Sequence, residues 1–310
     1  MADTQKVDIK TVVSGPERFP NDSARRRHER LVGVEAHAKA VARDLHQLFH
    51  PHLAARWAER HFGGVPIAVR LLDDLVPLII FEGDVGTGKS ALAETIGDAV
   101  ARTHDYEVQL FKMSTQVRGH GYVGQMGSLL SLAFKHVSAQ WERTSTPVVF
   151  IIDEADSLLT ARSAEDHHHE DKSGVNTILQ QLDDLSKGKA QVAVIAITNR
   201  IGVLDPAVRR RATAIYRFDR PNTEQRRALF ANLLHGFELS ETDLDALADA
   251  SAPRPGANGG RSVPFSYSDL TLRILIPQIR ECVDQDCPLT LDALIRRLGE
   301  TQPTPSMESA

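Results

Sequence analysis

The chain has 310 residues, 42% hydrophobic and 25% charged, which suffices for one large core and a smaller one. Its 36 basic and 41 acidic residues leave a net charge of -5, so charge alone points away from nucleic acid as a partner. The polar first thirty residues carry no secretory signal, the longest apolar runs are too short to span a bilayer, and two cysteines, Cys282 and Cys287, make no disulfide framework. A soluble protein of the reducing cytoplasm, with no membrane partner, is expected.

Residues 1–30 are polar and aperiodic and read as a flexible arm. From Leu31 to Phe62 apolar residues recur at helical spacing (Ala36, Ala40, Val41, Leu45, Leu48, Leu53, Trp57), with Pro51 dividing two helices. Gly63, Gly64 and Pro66 mark a loop. Short apolar runs then alternate with amphipathic ones. Strands are predicted at Leu78–Phe81, Val108–Met113, Val148–Ile152, Val192–Thr198 and Ala214–Phe218. Helices are predicted at Lys89–Thr103, Ser128–Glu142 and Val175–Leu185. This alternation predicts an α/β domain over 31–220 with a parallel five-stranded sheet covered on both faces. Past Pro221 only helical periodicity remains, interrupted at Pro253–Pro264, so 221–300 reads as a small all-helical lid domain and 301–310 as a frayed tail.

Chemistry enters with Gly83-Asp84-Val85-Gly86-Thr87-Gly88-Lys89-Ser90, a complete phosphate-loop pattern between a predicted strand and a predicted helix. Its glycines let backbone N–H groups turn inward onto phosphates, and the helix amino terminus, running on through Ala91, adds its positive dipole end. Lys89 would reach the β- and γ-phosphates of ATP, and the Ser90 hydroxyl would ligate Mg²⁺. Downstream, the apolar run Val148–Ile152 carries Asp153 and Glu154 to its carboxyl end. Asp153 would hold the Mg²⁺ shell and Glu154 would act as general base on the attacking water.

Asn199 follows the next strand, where an amide could orient that water, the bland alternative being a common strand-end turn Asn. Arg209, Arg210 and Arg211 would repel one another within one subunit and make better sense facing a neighbour's phosphates, the bland alternative being a solvated basic helix end.

With these segments in view, the chain resembles an AAA+ ATPase of the AAA subfamily from about Leu31 to Gly299. The resemblance rests on Leu31–Val34, Gly83–Ser90, Tyr122–Gln125, Ile152–Leu158, Ile197–Asn199 and Leu204–Arg211. It implies that Val32 and Gly33 meet adenine through their backbone, that Asn199 is the first sensor, and that Arg210 and Arg211 are fingers supplied in trans. It also implies a homo-oligomeric ring, usually a hexamer, and a substrate-gripping pore loop at Tyr122, Val123 and Gly124. Within the subfamily the sequence is most similar to the pachytene-checkpoint (thyroid-receptor-interacting-protein) ATPases, which remodel HORMA-domain proteins. Ser157–Arg162 and Val175–Asp183 carry that likeness. Lacking a folded amino-terminal adaptor, the chain resembles the short bacterial members associated with antiphage signalling (CBASS) operons. One departure stands out: the family's Ser-Gly-Arg in the lid is absent, the stretch reading Tyr267-Ser268-Asp269-Leu270-Thr271-Leu272-Arg273; whether Arg273 one turn on replaces it stays open, as do the microtubule-severing and related AAA groups as relatives.

Other signals are weaker. His167, His168 and His169 lie in a charged stretch read as a solvated loop, at the position of a second pore loop by the same resemblance. His46 and His50, four apart, read as helix-surface histidines. Three functions stand at this point: a protein remodeller, a nucleic-acid ATPase of the clamp- or helicase-loader type, and a non-hydrolysing scaffold. Glu154 argues against the scaffold, and no basic, aromatic-studded element favours the loader.

Overall fold

A computed structural model describes residues 8–114, 126–157, 169–255 and 262–307. The chain divides into two compact units. The first takes residues up to Arg25, His37–Glu82 and Ala93–Tyr216; the second takes Arg26–Ala36, Gly83–Leu92 and residues from Arg217 onward.

The centre of the first unit is built from four apolar runs. β2 (Leu78–Gly83), β3 (Val108–Met113), β4 (Val148–Ile152) and β5 (Val192–Thr198) are buried along almost their whole length. Strands covered on both faces need continuous rather than alternating hydrophobicity. They pair in parallel, with Phe111 opposite Phe150, Phe150 opposite Val194, and Ile80 opposite Ala196. β6 (Ala214–Phe218), a strand the sequence predicts, takes its place beside β2.

The sheet has a sixth strand. Residues of the expected flexible arm form α1 (Ile9–Val12), β1 (Val13–Phe19) and α2 (Asp22–Glu29), and β1 pairs antiparallel with β3, so the sheet is mixed, in the order β1-β3-β4-β5-β2-β6. Only the ends of β1 are buried, which is why it shows no apolar periodicity. Phe19 nonetheless anchors it, seated so closely on Gly97 that a Cβ there would lie 2.6 Å from the ring. Just beyond it, the Asn21 N–H donates to buried Asp98 at 2.6 Å.

Helices cover the sheet. α3 (Glu35–Phe49) and α4 (His52–Phe62) are divided at Pro51, and Gly63 closes α4 in the left-handed region with φ 70°. The short α5 (Ile67–Arg70) follows. α6 (Lys89–His104) turns Leu92, Ala93, Ile96 and Val100 inward. α7 (Met126–Thr144) and α8 (His169–Lys187) pack Leu130, Phe134, Val137, Ile178 and Leu182 with the inward side chains of β3, β4 and β5. α8 begins at His169, earlier than the predicted Val175, because the polar first turns lack the apolar spacing that marks the rest. Each fully buried side chain of this kind contributes about 1.5–3 kcal/mol. Phe134, edge-on to Phe150 at 5.4 Å, is the seam: its truncation to Ala would cost about 3–5 kcal/mol. α9 (Pro206–Arg211) starts on an Asp205 cap that accepts from the Ala207 N–H at 2.7 Å.

The second unit gathers α10 (Thr223–Leu233), α11 (Glu241–Ala250), α12 (Ile276–Asp284) and α13 (Leu291–Glu300). Capping boxes at Asn222/Gln225 and Ser240/Asp243 start the first two helices. Leu229, Phe230, Leu247, Phe265, Ile274 and Leu294 form its core, and Val32 joins them. This unit is not all-helical. It holds a two-stranded ribbon, β7 (Arg254–Pro255) with β8 (Ser262–Val263), and Arg254 lies over the Phe265 ring at 5.5 Å. Asp269–Leu275 is a π-helical stretch leading into α12. Pro277 has no N–H for the Arg273 carbonyl, and the helix widens in the residues before it.

Residues 301–306, expected to fray, have no regular secondary structure but are held by hydrogen bonds described below. No helix among the described residues is long and apolar enough to cross a membrane.

Candidate nucleotide site

The phosphate loop leaves the end of β2 and enters α6 at Lys89. It is closed around its own lysine. Lys89 is 5% exposed, and its Nζ donates to the carbonyls of Gly83 at 2.8 Å and Asp84 at 2.6 Å and lies 3.4 Å from Thr87 Oγ1. Thr87 Oγ1 in turn donates to the Asp84 carbonyl at 2.8 Å. Gly86 requires a glycine: its φ is 76°, and a Cβ would lie 2.6 Å from Ser266 Oγ. The amino terminus of α6 carries the positive end of the helix dipole. Half-buried Ser90 and exposed Ala91 sit in that turn, and Val85 is exposed on the loop. A buried ammonium, a hydroxyl at Ser90 and a helix amino terminus are the kinds of group a triphosphate needs, so the residues present fit the nucleotide the sequence predicts.

The carboxylates lie at the carboxyl edge of the sheet. In the parallel pairing, Ile152 of β4 is opposite Ala196 of β5, and Thr198 of β5 is opposite Glu82 of β2. Asp153 and Asn199 therefore leave the carboxyl ends of adjacent parallel strands, β4 and β5. Asp153 Oδ1 accepts from the Glu154 N–H at 2.8 Å, and its Oδ2 is 3.4 Å from Lys112 Nζ. Lys112 is also bound to Glu94 at 2.6 Å. Burial works to lower the Lys112 pKa, but Glu94 and then Asp153 outweigh it and hold the ammonium charged. Glu154 is exposed and adopts φ 51°, a left-handed conformation that costs a residue with a side chain about 1–3 kcal/mol and clusters at functional sites. Asn199 is half-buried, beside a Thr198 hydroxyl that donates to Asp156 at 3.2 Å.

The arginines are placed unevenly. Arg210 is exposed, whereas Arg211 pairs with Asp183 of its own chain at 3.3 Å. In the second unit, Val32 is buried in the core rather than presented outward. Gly33, at φ 76°, crowds Tyr267 and donates its N–H to Glu35 at 3.2 Å. Arg273 donates to Asp269 at 2.8 Å, to the Gln302 carbonyl at 3.0 Å and to Thr304 Oγ1 at 3.1 Å, so it holds the end of the chain. Tyr122, Val123 and Gly124 lie outside the described residues, as do His167, His168 and the side chain of His169. His46 is not a solvated surface histidine: its ring stacks on His104 at 3.5 Å and its Nδ1 is 3.1 Å from the Tyr106 hydroxyl.

Sequence reading missed Arg220. Its side chain is 5% exposed and its Nε donates to Asp84 at 2.8 Å. The signal was available: a carboxylate inside a loop built for anions demands a cation.

Residues 79–220 match the model of the ATPase family associated with various cellular activities (AAA), a span that contains the phosphate loop, Asp153, Glu154, Asn199 and the arginines of α9. CD-NTase-associated protein 6 of Escherichia coli strain MS 115-1 is 36% identical over 295 residues, 93% of either chain. The chain belongs to the AAA ATPase family. The same AAA architecture appears in the solved E. coli MS115-1 HORMA:CdnC:Trip13 complex, where the similar chain is 34% identical, with a TM-score of 0.87 over 97% of this chain and 99% of that one. Trip13 from Rhizobiales is 32% identical, with a TM-score of 0.73 over 95% of this chain and 100% of that one. As an AAA ATPase, the protein is a nucleotide-binding enzyme.

Proposed function

We propose that this AAA ATPase assembles as a hexameric ring in the cytoplasm and uses Mg·ATP hydrolysis to remodel a HORMA-domain protein, in antiphage signalling, by drawing part of it through a central pore. The observation that carries this reading is the end-to-end likeness to a chain solved with HORMA and CdnC partners. A relative similar over 93% of its own length is named for its association with CD-NTases, which agrees.

In this reading Lys89 and the loop amides from Gly83 to Ser90 bind the phosphates, and Ala91 continues the helix whose dipole favours them. Ser90 and Asp153 would hold Mg²⁺, which when bound screens phosphate charge and orients the reacting oxygens. Glu154 accepts the proton of the attacking water, which Asn199 orients. Arg210 and Arg211 serve a neighbour's site, which requires Arg211 to exchange Asp183 for phosphate oxygens. Val32 and Gly33 border adenine, and Tyr122, Val123 and Gly124 grip substrate.

The test compares partners. A HORMA-domain protein is expected to stimulate ATP hydrolysis and to change conformation, while duplex DNA does neither. Tyr122→Ala is expected to keep basal hydrolysis and lose both responses. Stimulation by DNA with no response to the HORMA protein would move the clamp- or helicase-loader reading ahead.

A further inference from the structure

The second residue of the phosphate loop is an acid, and it is buried: the Asp84 side chain is 10% exposed. A carboxylate so close to where phosphates bind would repel them unless its charge were cancelled and its position fixed. Both conditions are met within the second unit. Arg220 Nε donates to Asp84 Oδ2 at 2.8 Å. The rest of that guanidinium donates to the Pro264 carbonyl at 2.6 Å and the Pro305 carbonyl at 3.3 Å. Asp84 Oδ1 accepts from the N–H of Val85 at 2.8 Å and of Met307 at 3.2 Å. Burial pushes the Asp84 pKa up, but bonds from Arg220, then Met307, Ser306 and Val85, outweigh it and hold the group below the ordinary carboxylate range.

A second buried acid ties down the same stretch of chain. Asp269 accepts from the Thr304 N–H at 3.2 Å, from Thr304 Oγ1 at 2.5 Å, and from Arg273 at 2.8 Å. It also fixes Ser266, accepting from its N–H and its hydroxyl at 3.0 Å each. Ser266 and Ser268 close on the turn of the phosphate loop, where the Ser268 N–H donates to the Gly86 carbonyl at 3.1 Å. The last described residues of the chain are thus bonded, through Asp84 directly and through Asp269 and Ser266 indirectly, to the loop that meets nucleotide.

We propose that Arg220 and the carboxyl-terminal segment Gln302–Met307 are positioning elements of the nucleotide site, Arg220 cancelling the charge of Asp84 and the segment clasping the phosphate loop in its binding shape. The proposal rests on the assignment of Gly83–Ser90 as the ATP-binding loop. Neither element touches nucleotide; each acts through Asp84 or Gly86. A loose clasp would therefore be read as weaker nucleotide affinity, without any change in the residues that carry out hydrolysis.

The experiment is equilibrium binding of a fluorescent ADP analogue, in Mg²⁺ and in EDTA, with melting of the nucleotide-free protein measured in parallel. Arg220→Met is expected to weaken binding roughly 10-fold in both media, since the repulsion does not involve the metal. In an Asp84→Asn background the same Arg220→Met change should cost under about 3-fold, because the charge to be cancelled has gone. A chain ending at Thr301 keeps Arg220 and should also bind several-fold more weakly, and Thr304→Val, which removes one donor to Asp269, should shift affinity in the same direction. Equal losses from Arg220→Met with and without the Asp84 charge would overturn the electrostatic role. Unchanged affinity in the shortened chain would overturn the clasp. Failure of the parent chain to bind the analogue at all would instead remove the phosphate-loop assignment on which both depend.

Discussion

The phosphate loop and the acidic pair after β4 are held in opposite ways. Lys89 is 5% exposed and faces three oxygens of its own loop, and the acid beside it is capped by a guanidinium and by the end of the chain. Glu154 is exposed, with its backbone in a left-handed conformation directly after a fully buried strand. In the function proposed above, the difference would separate two jobs. A group that binds a polyanion gains from being fixed before the ligand arrives, because no ordering cost then falls on binding. A group that takes a proton from water must keep its carboxylate in contact with solvent, and β4 supplies the rigidity that holds the strained residue in place.

Substitutions on the two sides should therefore fail differently. Lys89→Ala should lose nucleotide binding itself. Glu154→Gln should keep binding and lower hydrolysis about 10²–10⁴-fold, the range a general base contributes. Parallel measurement of ADP affinity and single-turnover hydrolysis separates the two, and a Gln variant hydrolysing at the parent rate would end the assignment. A smaller effect, about 10²-fold, is expected for Arg211→Ala, as for one lost transition-state donor. If that arginine serves a neighbour, mixing Arg211→Ala with Lys89→Ala chains should restore part of the activity, because some interfaces then pair an intact loop with an intact finger. Co-assembled mixtures that stay inactive would place Arg211 on its own chain, where Asp183 already binds it.

The mildest prediction concerns a region remote in sequence from both. Burial, followed by the neighbouring rings of His104, His50 and His52, lowers the His46 pKa from 6.5 to about 4. The folded chain keeps His46 neutral where the unfolded chain takes up a proton. Its contribution to stability is thus fully present above pH 6.5 and is lost as pH falls toward about 4. The melting midpoint should drop through that window, and less so in His104→Gln, whereas an identical pH profile would show that the stacked pair does not matter.

Much of this was legible in the sequence. Strands β2, β4 and β5 announced themselves because burial on both faces leaves apolar runs, β3 did so despite Gln109 and Lys112, and the phosphate loop did so because its glycines and lysine keep fixed spacing. Asp153 and Glu154 were legible because they follow such a run. β1 was not: it contains Gly15 and Pro16, and between its buried ends every side chain is at least partly exposed. Residues 302–307 were opaque for another reason, since most of their bonds use backbone groups, which carry no side-chain pattern. The π-helical turn at Asp269–Leu275 looked like ordinary helix because the two share nearly the same apolar spacing over one turn.

β1 also acts as an edge guard. β3 is an almost wholly buried apolar strand, and without a partner on its outer side it would present a row of unpaired N–H and C=O groups to any other chain. β1 covers that row with a strand that bears Pro16, Glu17 and Arg18, poor material for recruiting a further strand. A chain shortened to begin after Pro20 would keep every residue of the nucleotide site and yet expose a template for self-association, so aggregation rather than lost catalysis is the hazard of trimming this end.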